Sequence, residues 1–125
     1  MYHKTTVVGR VGQQPTMRYT ADGTPVTSFS VAVNEKWGSG DDRKEKTTWY
    51  RVSAWKRLAE LTNEYLSPGS LVLVEGTMVV DDTGGPRVWT DQGGTARASL
   101  EITAREVKFL GGKRDAGESN DEMPF

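Results

Sequence analysis

Apolar and polar residues alternate along most of the chain, and turn residues divide this alternation into short segments. Four segments have the period of two that indicates β-strands, and they are 5–11, 17–20, 26–34 and 47–55. Asp22-Gly23, between the second and third of these, is a strong hairpin signal. Residues 38–46 contain no apolar residue, so we expect them to form a solvated loop.

The period changes over residues 57–66, where apolar positions follow the i, i+3, i+4, i+7 spacing of one helical stripe. This stripe consists of Leu58, Leu61, Thr62 and Tyr65. Ser67-Pro68-Gly69 ends the predicted helix, because proline cannot continue the hydrogen-bond ladder and glycine tolerates a left-handed exit. Strands are predicted again after the helix, at 71–80, 87–91 and 97–110.

About five main strands, with one helix between the third and the fourth, predict an all-β domain with a single short helix. Short antiparallel strands joined by long hairpin loops favour a small closed barrel. A β-sandwich or an SH3-like barrel remains compatible with this pattern of strands.

Length and composition indicate one globular domain. The chain has 125 residues, 35% of them hydrophobic. Its longest strongly apolar run is Leu71–Val74, far short of the roughly 20 apolar residues of a transmembrane helix. No apolar segment of the kind found in signal peptides follows Met1, so we expect a cytoplasmic protein.

The residue inventory argues against an enzyme. The chain has no cysteine and a single histidine, His3, which removes disulfides, thiolate nucleophiles and Cys/His zinc sites. The acidic pairs Asp41-Asp42 and Asp81-Asp82 fall in turns, and no third ligand is spaced to join either pair around a metal ion. We therefore expect no catalytic residues, no metal site and no cofactor.

Charge and composition change after Leu110. Residues 111–125 hold two basic and four acidic residues, whereas residues 1–110 hold fourteen basic and thirteen acidic ones. The segment 111–120 contains only one small apolar residue, too little to offset the entropy of ordering. We expect a folded domain at 1–110 and a disordered acidic tail at 111–125, so anion binding by the domain would depend on where its charges lie.

The predicted strand 47–55 has two unlike faces. Its even positions are suited to a core, whereas its odd positions carry Trp49, Arg51 and Trp55 together with two hydroxyl residues. A core would not place arginine at its centre, and an ordinary solvated face would not carry two tryptophans. Flat aromatics alternating with cations are typical of a surface that stacks nucleic-acid bases beside a phosphate backbone. Tryptophans in small domains also commonly pack in the core, which is the alternative for each of them.

Further candidates for nucleic-acid contact lie beside loops. Trp37 shares the parity of core-like Val31 and Val33, so it can reach an outer face only at a bulge or a strand end. Trp89 alternates with Arg87 on a short strand. The remaining cationic candidates for phosphate contact are Arg10, Lys56 and Arg57.

The chain ends in Asp121, Glu122, Met123, Pro124 and Phe125. A large aromatic after a solvated acidic segment has an evident use as an anchor in an apolar pocket of a partner protein. The terminal carboxylate would then meet a basic residue, and the acidic residues would steer approach. We therefore assign these five residues to partner binding, with chance at a frayed terminus as the alternative.

These residues together resemble the bacterial single-stranded DNA-binding proteins, the SSB family. The resemblance runs along most of residues 3–110, and the tip at 121–125 is similar to the acidic-aliphatic-Pro-Phe ending of that family. The motifs that carry it include Val8-Gly9-Arg10-Val11-Gly12-Gln13-Gln14-Pro15, Arg18-Tyr19, Phe29-Ser30-Val31-Ala32-Val33-Asn34, Thr48-Trp49-Tyr50-Arg51-Val52, Leu58-Ala59-Glu60 and Trp89-Thr90-Asp91-Gln92.

The resemblance implies an OB-fold, a five-stranded Greek-key barrel, usually assembled as a homotetramer that wraps single-stranded DNA without sequence preference. It places all four tryptophans, Trp37 included, where the family has base-stacking aromatics, and Arg51 and Arg57 where it often has phosphate-contacting cations. It also implies that the tip recruits replication, recombination and repair enzymes, and that the protein is associated with the nucleoid.

Departures from the family pattern are visible in the tail and in one turn. The tail is short, Met123 replaces a more usual branched aliphatic residue, and the turn at 67–70 lacks a basic residue that some members have. Two other functions stay open, namely an OB-fold adaptor that mainly recruits proteins and an RNA-binding OB module. A metal-dependent nuclease is a distant third.

Overall fold

The computed structural model describes residues 1–112; most of the predicted tail, including its tip, lies outside the described residues. Within this part the elements, in chain order, are β1 (Thr5–Val11), β2 (Thr16–Tyr19), β3 (Pro25–Trp37), a 3₁₀ turn (Gly40–Asp42), β4 (Lys44–Trp55), α1 (Arg57–Tyr65), β5 (Leu71–Met78), β6 (Val88–Thr90), β7 (Ala96–Ala98) and β8 (Leu100–Gly111).

Five of the strands close into a barrel. β1 pairs antiparallel with β5 and, at its end, with β3, while β3 pairs with β4 and β5 pairs with β8. The parallel pairing of β4 with β8 completes the closure, and β2 extends the sheet beyond β3. This strand order, with the helix between β4 and β5, is the Greek-key barrel of an OB-fold. The predicted fold is therefore confirmed, and the sandwich and SH3-like alternatives were wrong.

The core is filled by the alternate side chains that the period of two predicts. Each barrel strand sends at least two apolar residues inward, so the interior is packed from all sides. The buried members are Val7, Val11, Phe29, Val31, Val52, Ala54, Val72, Val74, Ile102 and Ala104. Among the described residues, every buried side-chain nitrogen or oxygen has a hydrogen-bond partner.

The helix α1 covers the barrel beside β3 and β4, and its buried face is rotated from the predicted stripe. Ala59 and Thr62 are its buried residues, whereas Tyr65 is exposed. The Thr27 hydroxyl donates to the Ala59 carbonyl at 2.6 Å, and the Thr62 hydroxyl donates to the Leu58 carbonyl at 2.9 Å. The bond from Thr27 joins the sheet directly to the helix backbone, and this close approach favours small side chains on α1 over larger apolar ones.

The predicted loop at 38–46 was wrong in part, because its last three residues belong to β4. β3 and β4 continue past the barrel as a two-stranded arm, whose residues Asn34–Trp37 and Lys44–Thr47 are exposed. Opposite charges face each other across this arm at Glu35 and Lys46 and at Lys36 and Glu45. Such cross-strand pairs stabilise a ribbon that has no core to pack against, and hydrophobic periodicity cannot detect a ribbon of this kind.

The connection between β5 and β8 carries a second hairpin, formed by β6 and β7. Asp81 shapes its first turn by accepting the backbone N–H groups of Thr83 and Gly85, and the Thr83 hydroxyl, which lowers the pKa of Asp81, is its strongest partner. The predicted single strand 97–110 is therefore two elements, since β7 belongs to the hairpin and β8 to the barrel.

Candidate nucleic-acid interface

The odd residues of β4 form an exposed row on the barrel surface. Trp49 and Trp55 have 54% and 41% of their surface exposed, and Arg51 between them is also exposed. Val52 and Ala54, on the other face of the strand, are buried in the core. The predicted division between the two faces of this strand is confirmed, and the row from Trp49 to Trp55 spans about 20 Å.

The floor beside this row is made of small residues. In the register of β3 and β4, Ala32 lies opposite Trp49, Ser30 opposite Arg51 and Ser28 opposite Ser53. Large flat side chains on one strand and small ones on the next leave open space above the sheet. A groove of about 800 Å³ occupies this space, lined by Gly12, Gln13, Gln14, Thr16, Arg18, Ser28, Phe29, Ser30, Trp49 and Arg51.

The position of the Trp49 indole depends on Gly12. A Cβ atom built on Gly12 would lie 2.5 Å from Cζ3 of Trp49 and 2.8 Å from the Ser30 hydroxyl oxygen. The Gly12 N–H donates to the Ser30 carbonyl at 3.0 Å, which ties the start of the β1–β2 loop to β3. The missing side chain therefore lets the indole lie against the loop that forms the wall of the groove.

Trp37 is exposed because it lies at the end of the arm. The pairing of β3 with β4 is continuous from Val26 and Trp55 to Trp37 and Lys44, so no bulge reverses its direction. Trp37 therefore keeps the parity of Val31, opposite to that of the Trp49 row, but lies beyond the core with 49% of its surface exposed. Lys46 Nζ is 6.0 Å from the centroid of its ring, a cation–aromatic arrangement.

Trp89 lies on the β6–β7 hairpin opposite Arg97, with 43% of its surface exposed. Arg97 Nε donates to Asp91 Oδ2 at 2.5 Å, and the backbone N–H groups of Gly93 and Thr95 donate to Asp91 Oδ1. The Arg97 guanidinium, followed by the Thr95 N–H, holds the pKa of the Asp91 carboxyl below its usual value. These contacts fix the turn that presents Trp89.

Three of the predicted phosphate-contacting arginines already have partners within the domain. Arg10 donates to the carbonyls of Gly69 and Gly112 at 2.9 and 3.2 Å, and Arg57 pairs with Glu60 at 3.1 Å. Arg87 contacts both carboxylate oxygens of Glu101 at 2.5 Å. Arg10 and Arg87 therefore join separate parts of the fold, whereas Arg57 pairs within α1, and the structure does not test whether they also contact phosphate.

Glu101, the partner of Arg87, is also a neighbour of Arg51 in the sheet. Glu101 lies beside Arg51 in the parallel register of β4 and β8, so their side chains point to the same face. The Glu101 carboxylate is paired with Arg87, and within residues 1–112 Arg51 takes part in no ion pair.

Lys56 has a backbone conformation that favours glycine. It follows Trp55 directly and precedes α1, with φ of 60° and ψ of −129°. Its N–H donates to the Pro25 carbonyl at 3.0 Å and its carbonyl accepts the Ala59 N–H at 3.0 Å, so both neighbouring elements fix this geometry. Among the described residues, Lys56 is the non-glycine residue with positive φ, and such strain is commonly found at functional sites.

Replacing Lys56 with glycine should raise the free energy of unfolding of the DNA-free protein by about 1 kcal/mol, because glycine adopts this conformation without strain. Lys56→Ala removes the same charge but keeps the strain, so it should give no such gain. Denaturant unfolding of both variants measures the difference. Equal stability of the two would show that the backbone at Lys56 is not strained.

Residues 1–112 contain neither a cluster of metal ligands nor a helix that could span a membrane. This part of the chain contains no group of three or more acidic or histidine side chains arranged to hold a metal ion. Its one α-helix has nine residues and is too short to cross a membrane.

The groove lining was only partly predicted from sequence. Trp49 and Arg51 were identified, whereas Gln13, Gln14 and Arg18 were not selected as site residues. The β1–β2 loop and β2 reach the groove through the pairing of β2 with β3, in which Arg18 lies opposite Val26. A signal was present, because Thr16 and Arg18 are the polar positions of a short alternating strand.

A closed barrel of this topology, with exposed indoles beside guanidinium groups and a polar groove, defines a nucleic-acid-binding module of the OB class. A family model described as the single-strand binding protein family matches residues 2–110. The chain belongs to this family.

Curated relatives agree with this assignment. Single-stranded DNA-binding protein 1 of Xylella fastidiosa is 39% identical over 115 residues, which cover 90% of this chain and 80% of that protein. The single-stranded DNA-binding protein of Neisseria meningitidis serogroup A is 34% identical over 114 residues, covering 90% of this chain and 62% of that protein.

Solved structures show the same fold. The small single-stranded DNA-binding protein of Streptomyces coelicolor superposes with a TM-score of 0.73 at 25% identity, over 86% of this chain and 94% of that one. The Plasmodium falciparum SSB, solved in complex with single-stranded DNA, superposes with a TM-score of 0.71 at 27% identity, over 88% and 96% of the two chains.

Proposed function

We propose that this protein binds single-stranded DNA without sequence preference and protects it. The observation that carries the proposal is the exposed row Trp49, Arg51 and Trp55 on β4, beside a groove with a floor of small residues. Stacking on indoles is tolerant of sequence because every base has a flat face, and guanidinium groups bind the phosphates that all sequences share. The proposed activity is binding, with no chemical step.

Titration of tryptophan fluorescence with oligo(dT) at two salt concentrations tests this function. Strong quenching that saturates at a defined number of nucleotides per protomer would place the indoles against bases. Higher salt should weaken binding, with the logarithm of affinity falling by about 0.7 per unit of log salt for each phosphate neutralised. Absence of quenching at low salt would reject the proposal, and competition with an oligoribonucleotide decides between DNA and RNA.

We further propose that the tip Asp121–Phe125 recruits proteins of replication, recombination and repair, consistent with its acidic and aromatic composition. Deleting residues 121–125 should leave affinity for oligo(dT) unchanged. The full-length protein should capture such enzymes, and the deletion variant should not. A loss of DNA affinity on deletion would contradict the division between domain and tip. An unchanged capture would reject the proposed role of the tip.

The proposed assembly is a homotetramer located with the DNA in the cytoplasm. This proposal follows from membership of the family. Sedimentation equilibrium of the free protein tests the number of subunits, and a monomer at micromolar concentration would contradict it.

A further inference from the structure

We propose that Arg18 on β2 is a phosphate-contacting residue, and that the DNA path therefore crosses the sheet from β4 over β3 to β2. This inference rests on the proposed function and extends its site to a strand that the exposed tryptophans do not mark. Four observations support it: the face on which Arg18 lies, the groove it lines, the lack of a competing acid, and the rigidity of the loop beside it.

Arg18 lies on the same face as the β4 row. β2 pairs with β3 so that Thr16 lies opposite Ser28 and Arg18 opposite Val26, and Val26 in turn lies opposite Trp55. Directly paired residues point to the same side of a sheet, so Arg18 and Trp55 share the outer face. Two strand spacings separate them, about 10 Å.

The groove of about 800 Å³ joins the two cations. Arg18 and Arg51 both line it, with Ser28 and Ser30 between them on the floor. A DNA strand that crosses this floor would have the Arg18 guanidinium on one side and the Arg51 guanidinium on the other. Its bases would lie near the Trp49 indole. Small hydroxyl residues can accommodate a sugar–phosphate chain without a steric clash.

Both guanidinium groups are available for an anion. Within residues 1–112 neither Arg18 nor Arg51 takes part in an ion pair, in contrast to Arg57, Arg87 and Arg97. Arg18 is exposed on β2, which among residues 1–112 pairs only with β3. The Arg18 guanidinium therefore breaks no ion pair or hydrogen bond within the described residues when it binds phosphate.

The wall beside Arg18 is held in place before any ligand binds. Pro15 is buried and the Gly12 N–H is bonded to Ser30, so both ends of the β1–β2 loop are fixed. Gln13 and Gln14 between them are exposed and line the groove. A wall fixed in this way loses little entropy when DNA binds.

The test compares Arg18→Ala, Arg18→Lys and Arg105→Ala in oligo(dT) titrations over a range of salt. Arg105 is the matched control, because it is exposed, has no ion pair in the described part of the chain, and lines a separate cavity with His3 and Glu75. The thermal midpoint of each DNA-free variant checks that the fold is intact.

Arg18→Ala should lower the slope of log affinity against log salt by about 0.7. The ratio of wild-type to variant affinity should therefore grow by about 5-fold for each tenfold decrease in salt concentration. Arg18→Lys should keep the wild-type slope, and Arg105→Ala should leave slope and affinity unchanged.

An unchanged slope for Arg18→Ala, with or without a loss of affinity, would overturn the assignment while wild-type binding upholds the proposed function. Equal slope losses for Arg18→Ala and Arg105→Ala would show a general charge effect and also overturn it. Failure of the wild-type protein to bind would reject both.

Discussion

Replacing Trp49 and Trp55 together with alanine should weaken binding of oligo(dT) by about 2–6 kcal/mol, because each base–indole stack contributes about 1–3 kcal/mol. The salt dependence of binding should stay close to that of the wild type, since indoles neutralise no phosphate. Both indoles lie outside the core with about half of their surface exposed, so their removal leaves the core intact. Affinities measured at several salt concentrations give both quantities.

Two controls separate stacking from other effects. Arg51→Ala should lower the salt slope by about 0.7, the mark of one lost phosphate contact on a single strand. Tyr65→Ala removes an aromatic with 62% exposure from α1, outside the groove, and should leave affinity unchanged. Equal slope losses in the double tryptophan variant and in Arg51→Ala would contradict this division of roles.

Replacing Gly76 with alanine should lower the free energy of unfolding by about 3 kcal/mol, because the added methyl group would overlap the backbone of β8. A Cβ atom at Gly76 would clash with the Thr103 carbonyl oxygen and lie 2.9 Å from the Ala104 Cα. Backbone atoms in a paired strand cannot move aside as the end of a side chain can. Denaturant unfolding at fixed protein concentration measures the loss.

Gly85→Ala is the matched control for this prediction. A Cβ atom on Gly85 would have Thr83 Oγ1 as its nearest neighbour, at 3.7 Å, which is ordinary contact. Its stability should therefore remain within about 0.5 kcal/mol of the wild type. If Gly76→Ala unfolded at the same denaturant concentration as Gly85→Ala, the close approach of β5 and β8 would be wrong.

The close approach at Gly76 could not have been predicted from sequence. The register of β5 with β8 shifts between Glu75 and Gly76, so that Arg105 is an extra residue on β8. A bulge of this kind depends on how two distant strands meet, and it leaves no periodic signal in either strand. The need for glycine at position 76 becomes apparent only when the position of the opposite backbone in β8 is known.

The arm formed by β3 and β4 is a second feature that the sequence pattern could not predict. Hydrophobic periodicity stops at Asn34, because beyond it there is no core to pack against, and the loop prediction followed from that stop. The exposed ribbon is held by backbone pairing and by opposite charges such as Glu35 and Lys46. Whether Trp37 was exposed was likewise undecided, since exposure depends on where the barrel ends along the strand.

The sequence alone was enough to place most of the barrel strands and the helix, and to identify the family and the two faces of β4, because period-two alternation and a distinctive set of residues are local properties. It could not determine which cations are available, since the partners of Arg10 and Arg87 come from residues far away in the chain. Nor could it select Arg18, which meets the Trp49 row only through the pairing of β2 with β3. Alternation along one strand is fixed by chain geometry, whereas a site that crosses several strands exists only after tertiary pairing brings them together.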